Sequence, residues 1–383
     1  MLERPQIKGK SVAAHSPLPI RRVDAIPVAL PLKTPMKMAG ITIATAENVL
    51  VRIEAADGRV GWGEAASAPT MTGDTLGGLV AAVRDHLAPL LVGQDAFNRP
   101  TLVPALRRAL MGNTGAHSAV EMALLDLTGR ASNTRLVDAV APKPLRTQVK
   151  PMWLLGNATP EQDIDEARAR EREGFHFFKL KIGVKPLADE IATAHAVRAA
   201  LGRKMPLCAD ANTGLTLANA KRYIERTRPA KLAFIEQPLA YDDLAGLKAL
   251  AKLRLPIGVD EGIHSLADVT ASARAGAAGV SLKLIKLGGF TTAYEAAKLC
   301  RRLRLKINVA AKIAESSIAS AAAVQLACVA PNVDWGVSIT HFYLAEDLVK
   351  APLPIVDGTV SLPTGPGLEV TVDEAKVERY RVK

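Results

Sequence analysis

The sequence predicts an α/β fold in which a closed parallel barrel follows a smaller α+β unit. From about residue 148, short apolar runs alternate with helical segments at intervals of roughly 24–30 residues, about the length of one strand–helix unit of a barrel. Such units imply a parallel sheet covered by helices, and eight of them fit a closed TIM-type barrel better than an open sheet. The runs are 149–155, 177–182, 207–211, 233–235, 257–259, 280–285, 307–310 and 333–339.

The segment before the barrel has the pattern of a mixed α+β domain. The strand-like runs 48–54 and 60–64 are separated by Asp57 and Gly58, and this dipeptide between two such runs predicts a hairpin. Further on, apolar residues with helical spacing predict a helix that ends near Gly129. These apolar residues are Val120, Ala123, Leu124 and Leu127.

These patterns divide the chain into four parts. Residues 1–21 are predicted to be a flexible tail, because their Pro, Ser and Lys content leaves little to bury. Residues 22–145 form the α+β domain, and residues 146–345 form the barrel. Residues 346–383 are again strand-like and turn-like, and we expect them to return to the first domain.

Composition excludes several classes of protein. The net charge of the 383 residues is +11, but no basic run is interleaved with aromatic residues, so nucleic-acid binding is not predicted. The charge instead favours collection of an anionic small-molecule substrate. Three cysteines without close spacing argue against a disulfide framework or a zinc site. Without a signal-peptide pattern or an apolar stretch of about 18 residues, we expect a soluble, cytoplasmic protein with no membrane partner.

Acidic side chains end three successive apolar runs, at Asp210, Glu236 and Asp260. The carboxyl ends of parallel barrel strands meet at one rim, where clustered carboxylates repel one another unless a positive charge lies between them. A hard divalent cation with oxygen ligands satisfies this arrangement, which predicts Mg²⁺. The alternative is that each acid caps the helix that follows it.

Lysines end the second and sixth runs. Lys179 and Lys181 are two residues apart, so both can face the barrel mouth. Lys181 and Lys283 come from opposite sides of the barrel, and the positive potential of a bound cation is expected to lower their pKa towards neutrality. Such lysines can act as general acid and base. Lys286 follows Lys283 by three residues, so on a regular strand it faces away from the site.

This set of motifs resembles the enolase superfamily, in its muconate-lactonizing-enzyme subgroup. The matching motifs are KLK at 179–181, DAN at 210–212, EQP at 236–238, DE at 260–261 and KLIKLGG at 283–289. AHSAVEMALLDLTGR at 116–130 and VGWGEA at 60–65 resemble segments of the family's first domain. The resemblance implies a modified (β/α)₇β barrel beneath an α+β capping domain.

The resemblance also implies roles for individual residues. Mg²⁺ or Mn²⁺ would be bound by the three acids, Lys181 and Lys283 would be the acid/base pair, and Lys179 would help to hold the carboxylate and stabilise the enolate. Mobile substrate loops are expected at 33–43 and 69–75, and the protein is expected to be a homo-oligomer, from dimer to octamer. Candidates for binding the substrate, or for supporting the groups that bind it, are Asn212, Glu261, Lys286, Glu315, Thr340 and His341.

The sequence predicts the superfamily chemistry more closely than the reaction. Dipeptide epimerases of the family carry an Asp-x-Asp pair near the eighth strand, whereas this chain has Ser338, Ile339 and Thr340 there. We expect a metal-dependent isomerase that acts on a carboxylate through an enolate, with muconate-type cycloisomerisation favoured. An amino-acid, N-acylamino-acid or betaine racemase or epimerase, a hydroxy- or imino-acid dehydratase, and a non-catalytic scaffold are the alternatives.

Overall fold

A computed structural model describes residues 16–38, 41–141 and 143–383. Its strands are β1 (Ile20–Met38), β2 (Ile41–Ala55), β3 (Val60–Ala66), β4 (Gln148–Val149), β5 (Trp153–Leu155), β6 (Phe178–Lys181), β7 (Leu207–Asp210), β8 (Ile235–Glu236), β9 (Ile257–Val259), β10 (Gly279–Lys283), β11 (Lys306–Ala310), β12 (Val337–Ser338) and β13 (Val360–Ser361). Its α-helices are α1 (Leu76–Ala81), α2 (Ala88–Leu91), α3 (Arg99–Ala109), α4 (Thr114–Ser132), α5 (Pro160–Arg172), α6 (Leu187–Leu201), α7 (Leu217–Arg226), α8 (Leu244–Leu250), α9 (Leu266–Ala275), α10 (Leu284–Leu287), α11 (Phe290–Arg302), α12 (Ser317–Val329) and α13 (Glu374–Arg379). A π-helical turn (Ala82–Leu87) joins α1 to α2, and short 3₁₀ turns lie at Ala96–Asn98, Leu136–Ala139, Arg228–Ala230 and His341–Tyr343. Within the described ranges, none of the helices combines the length and the apolar character needed to span a membrane.

The capping domain is a three-stranded antiparallel sheet packed against helix α4. The Asp57-Gly58 hairpin is present, with Glu54 of β2 opposite Val60 of β3. Glycines in β3 allow the close approach of α4, because a Cβ at Gly63 would lie 1.9 Å from the carbonyl oxygen of Ala119. Helix α4 is buried from residue 115 to residue 129, so it forms the centre of this domain.

The first two strands differ from the prediction for 33–43. These residues are expected to form a mobile loop, but β1 runs to Met38 and β2 starts at Ile41, with Met36 opposite Ile43. A register shift interrupts the pairing between Pro31 and Met36, and residues 39–40 lie outside the described residues. Residues 36–38 thus pair with residues 41–43 as an extension of the hairpin, whereas residues 32–35 fall within the register shift.

The start of the domain also differs from the prediction. Of the tail predicted at 1–21, residues 1–15 lie outside the described residues. Leu18 and Ile20 are buried, and the Leu18 N–H donates to Asp95 Oδ1 at 2.9 Å. The capping domain therefore includes residues before position 22, because these two apolar side chains pack into its core.

The second sheet is an eight-stranded parallel barrel, which confirms the predicted fold class. The strands follow one another from β5 to β12 in sequence order. A parallel bridge between Pro151 and Val337, with the Met152 N–H donating to the Val337 carbonyl, brings the last strand back to the first. Helices α5 to α9, α11 and α12 cover the outside, whereas the single turn α10 packs against α4 of the capping domain. The strands are shorter than the runs that predict them: only the end of run 149–155 joins the barrel, and β4 pairs with β13.

The C-terminal segment lies against both domains. The Ala29 N–H of β1 donates to the Tyr380 carbonyl, and the Val382 N–H donates to the Pro27 carbonyl. The Leu368 N–H donates to Asp126 in α4 at 2.8 Å. These contacts hold the end of the chain against the capping domain.

Candidate active site

The predicted lysine and acidic residues at the ends of neighbouring strands lie at the same height along the barrel axis. Lys181 of β6 is paired in register with Asp210 of β7, and Asp210 is paired with Glu236 of β8. Glu236 is paired with Gly258 of β9, so Asp260 follows just beyond that level. Because parallel strands end at a common rim, the three acids lie on consecutive strands at the barrel mouth.

Two of the acids form buried ion pairs with the lysines predicted to be catalytic. Lys181 Nζ lies 2.7 Å from Asp210 Oδ2, and Lys283 Nζ lies 2.6 Å from Asp260 Oδ2. No more than a tenth of any of these four side chains is exposed. The lysines stand on the second and sixth of the eight strands, so the two ion pairs flank the barrel mouth from different sides.

The third acid is held at the centre of the barrel. Lys179 Nζ donates to Glu236 Oε2, and the Ser281 hydroxyl donates to Glu236 Oε1. Burial disfavours the charged form of Lys179, but Glu236 and Asp210 overcome this effect and raise its pKa. Lys179 is therefore a fixed positive charge at the base of the mouth.

The ion pairs set the charge states of the cluster. Burial alone would raise the pKa of Asp210 and of Asp260, but the neighbouring lysines hold both below their usual range. Burial likewise disfavours the charged form of Lys283, but Asp260 raises its pKa. The lowered pKa predicted for Lys283 depends on a bound cation. With Asp260 as its nearest partner, the shift has the opposite sign.

The three acids match a divalent cation in chemistry and in strand position. All three are carboxylates, and Asp260 disfavours the ionised form of Asp210, as expected for acids that share a site. Across the described parts of the chain, no group of three or more His, Cys, Asp or Glu side chains is arranged to hold a metal ion as it stands. Asp210, Glu236 and Asp260 instead each accept a hydrogen bond from a lysine ammonium.

The prediction that Lys286 faces away from the site is wrong. Its ammonium donates to Asp260 Oδ1 at 2.7 Å and to the Ser281 carbonyl at 3.2 Å, and the residue is fully buried. Strand β10 ends at Lys283, and the following residues form the single helical turn α10. Strand alternation therefore does not apply beyond Lys283, and the ammonium groups of Lys283 and Lys286 both reach Asp260.

Asn212 and Glu261 extend the cluster as predicted candidates. Asn212 Oδ1 accepts a hydrogen bond from Lys181 Nζ at 2.8 Å, and its Nδ2 donates to Glu261 Oε1 at 2.9 Å. Burial, followed by the charges of Asp260 and Asp210, raises the pKa of Glu261 to about 7. The hydrogen-bonded chain therefore links the lysine of the second strand to an acid beside the fifth.

Glu315 lies in the interface between barrel and capping domain rather than in the cluster. It is buried close to Glu64 of β3, which accepts hydrogen bonds from the backbone and hydroxyl of Ser316. Burial, followed by the charge of Glu64, raises the pKa of Glu315 to about 8. Within the described chain, Glu315 Oε1 is buried without a hydrogen-bond partner.

The eighth-strand candidates lie on the opposite side of the mouth from the acids. Thr340 Oγ1 donates to the Lys312 carbonyl at 2.7 Å. His341 Nε2 is 2.9 Å from the Leu353 carbonyl, so that nitrogen carries the proton. Burial lowers the pKa of His341, and among the described atoms its Nδ1 has no partner.

A cavity of about 1280 Å³ opens beside Lys181. Strand β1 covers it through residues 33–37, and the eighth-strand region lines it through residues 341–347. Trp153 and Phe342 stack on its wall with ring centroids 5.1 Å apart. The predicted loop at 69–75 instead lies over the other side of the mouth, where Met71 Sδ is 3.6 Å from Lys283 Nζ.

Comparisons with known proteins agree with this arrangement. Residues 162–376 match the family described as Enolase C-terminal domain-like, and residues 20–140 match the Mandelate racemase / muconate lactonizing enzyme, N-terminal domain. The chain belongs to the enolase superfamily. Within it, the chain falls in the muconate-lactonizing-enzyme subgroup, whose members include cycloisomerases and epimerases, and it is an isomerase of this superfamily.

Individual relatives are similar over nearly their whole length. Muconate cycloisomerase 1-2 of Acinetobacter lwoffii is 33% identical over 380 residues, covering 96% of each chain. The L-Ala-D/L-Glu epimerase of Bacillus subtilis is 29% identical over 92% of this chain and 96% of its own. The crystal structure of a muconate lactonizing enzyme from Pseudomonas fluorescens, complexed with muconolactone, superposes with a TM-score of 0.92 at 27% identity, covering 96% of this chain and 100% of that one.

Sequence reasoning missed two polar residues at the mouth of this superfamily barrel. Ser281, which donates to Glu236, precedes Lys283 by two residues, so strand alternation could have identified it. Lys312 lies just after β11 and close to Lys283 and Glu315. Because it follows the strand within a loop, alternation alone gives a weaker indication of where it points.

Proposed function

We propose that this isomerase is a divalent-metal-dependent cycloisomerase of the muconate type, acting through an enolate. The observation that carries the proposal is the placement of Lys181 and Lys283 against buried acids on two sides of one barrel mouth. A substrate lying between them would meet an ammonium group on each face. Similarity to a muconate cycloisomerase over 96% of the chain supports the reaction type.

Asp210, Glu236 and Asp260 are the residues that we propose hold Mg²⁺, or Mn²⁺. Their carboxylates are buried, come from consecutive strands and provide the oxygen donors that such ions prefer. A bound cation would supply Lewis-acid stabilisation of the negative charge that develops on the substrate carboxylate. Lys179 donates to Glu236 at the base of the mouth, and we propose that it also helps to hold the substrate carboxylate.

The two flanking lysines are proposed to move the proton. In a cycloisomerisation, one substrate carboxylate closes a lactone ring onto a double bond, and the resulting enolate takes a proton from one lysine. Lys283 now has Asp260 as its partner, and this carboxylate raises its pKa. If Asp260 bound a cation instead, Lys283 would lose that stabilisation, and its pKa would fall towards the range in which it exchanges protons readily.

Racemisation of an N-acylamino acid is the second candidate. The cavity of about 1280 Å³ exceeds the roughly 300–1,000 Å³ of most small-molecule sites, so it has room for a substrate larger than a six-carbon acid. Both lysines would then exchange the same proton across opposite faces. The polar residues Ser338 and Thr340 carry no charge for gripping a free substrate amine, which disfavours dipeptide epimerisation.

The deciding experiment is a substrate screen in D₂O with added Mg²⁺, followed by proton NMR. A cycloisomerase is expected to convert cis,cis-muconate to a lactone and to place one deuterium beside the remaining carboxylate. A racemase is expected to exchange the α-proton of N-acylamino acids and leave muconate unchanged. A double variant, Lys181→Met with Lys283→Met, is the control and should do neither. Absence of both reactions in the wild type would refute both proposals.

We also propose that the protein is a homo-oligomer, between a dimer and an octamer. The support is the resemblance to a family whose members commonly assemble. Light scattering coupled to size-exclusion chromatography measures the mass directly. A mass equal to one 40.6 kDa chain across the concentration range would contradict the proposal.

A further inference from the structure

Lys312 is a mostly buried lysine at the mouth that the mechanism above does not use. It follows β11, the seventh barrel strand, whose Ala310 is paired in register with Lys283. On the same strand, Asn308 points into the barrel, because its side chain meets the hydroxyls of Ser281 and Ser338. Lys312 lies two residues beyond the end of β11 and close enough to Lys283 for the two charges to act on each other.

The ammonium of Lys312 has no hydrogen-bond or ion-pair partner among the described residues, unlike those of the lysines at the ends of the second and sixth strands. Lys33 Nζ donates to the Phe342 carbonyl, and Lys185 Nζ donates to the Asn157 carbonyl. Burial lowers the pKa of Lys312, which indicates a desolvated cation without full compensation.

The nearest carboxyl group does not neutralise this charge. Glu315 is close enough to act on Lys312, but its own pKa is raised to about 8 by burial, so at neutral pH it is mostly protonated. The other acid that acts on Lys312 is Glu47 of β2, which is exposed to solvent. An anionic ligand at this point would therefore meet an ammonium that is free to bind it.

Strand order predicts which part of a substrate reaches Lys312. The three acids lie on the third to fifth strands, Lys283 lies on the sixth, and the cavity is lined by the first, second and eighth. A substrate whose reacting carboxylate lies at the acids must extend across the mouth, away from them. Lys312 does not line the cavity itself, but it follows the seventh strand, next to the eighth, and so lies on the side of the mouth to which the distal end points.

We infer that Lys312 binds a second anionic group at the distal end of the substrate and so selects dianionic over monoanionic carboxylates. This inference rests on the proposed function for the location of the reacting carboxylate. It adds a determinant of specificity on the seventh strand.

The test compares two unreactive ligands of the same length by calorimetry, with Mg²⁺ present. Adipate carries two carboxylates, and adipic acid monoamide replaces the distal one by a neutral amide. A charge-assisted hydrogen bond in a buried site corresponds to roughly a tenfold to hundredfold preference, so the wild type is expected to bind adipate more tightly by at least about tenfold. In Lys312→Met this ratio should fall to about one, with the affinity for the monoamide unchanged.

Two further variants separate this role from folding and from overall charge. Lys312→Arg should retain most of the preference. Lys306→Met removes the same charge from the exposed amino end of the same strand and should retain all of it. A preference that persists in Lys312→Met, an equal loss of affinity for both ligands, or a wild type without tighter adipate binding would overturn the inference. An intact adipate preference without muconate turnover would refute only the cycloisomerase proposal.

Discussion

Replacing Lys286 by methionine tests the strongest correction that the structure makes to the sequence-based prediction. The ammonium donates to Asp260 Oδ1, to the Asp260 carbonyl and to the Ser281 carbonyl, all in the barrel interior. Methionine keeps much of the side-chain length and removes every one of these donors. On strand alternation alone, this variant would be a harmless control.

The expected loss of stability follows from those contacts. Breaking a buried ion pair by removing one partner costs about 3–5 kcal/mol, because a charge is left without compensation. Asp260 keeps Lys283 on its other oxygen, so we expect the lower end, about 3 kcal/mol. Turnover should also fall, because Asp260 is a proposed metal ligand and loses one of the two groups that orient it.

Urea denaturation followed by tryptophan fluorescence measures the stability, and the substrate screen above measures turnover. Lys306→Met is the matched control, because it makes the same chemical change on an exposed lysine, and its free energy of unfolding should change by no more than about 0.5 kcal/mol. A Lys286→Met protein as stable and as active as the wild type would refute the argument that Lys286 supports Asp260.

Three further outcomes are expected. Glu236→Gln should lose most of its Mg²⁺ affinity in a calorimetric titration, because it deletes a charged oxygen donor; unchanged affinity would rule out this residue as a ligand. If the protein is a racemase, Lys283→Ala should stop inversion, while Lys181 still exchanges the α-proton of one enantiomer with deuterium; Lys181→Ala should show the same behaviour with the other enantiomer. If it is a cycloisomerase, only one of these two variants should abolish proton transfer, with a loss of rate of roughly 10²–10⁴-fold. The raised pKa of Glu315 means that this carboxyl stabilises the fold in its protonated form, so its contribution is present below about pH 4.5 and is lost as the pH rises through about 8. The stability of Glu315→Gln relative to the wild type should therefore increase as the pH rises from 5 to 9, as measured by urea midpoints. If the difference in stability between the two proteins stays constant over this range, Glu315 does not titrate in it.

The barrel and its polar rim could be predicted from the sequence, because they depend on local patterns. Apolar runs that recur at the spacing of strand–helix units need no long-range information, and each of the eight runs contains or overlaps one barrel strand. Asp210, Glu236 and Asp260 end consecutive runs, so the rule that parallel strands end at one rim was enough to predict that they lie on neighbouring strands at the barrel mouth. The hairpin at Asp57 followed from its turn residues for the same reason.

The tertiary structure decided what depends on where a strand stops and on what lies across the domain interface. Lys286 faces the site because β10 ends at Lys283 and the next residues form a helical turn. An apolar run in the sequence does not indicate where a strand ends and a helix begins. The segment 33–43 was expected to be a loop, but Met36 pairs with Ile43 across a hairpin, which the sequence pattern of this segment did not indicate. Glu315 lies close to Glu64 only because the two domains are docked together. Sequence patterns report the period and composition of one segment, whereas burial and pairing between segments far apart in the chain arise only when the whole chain has folded.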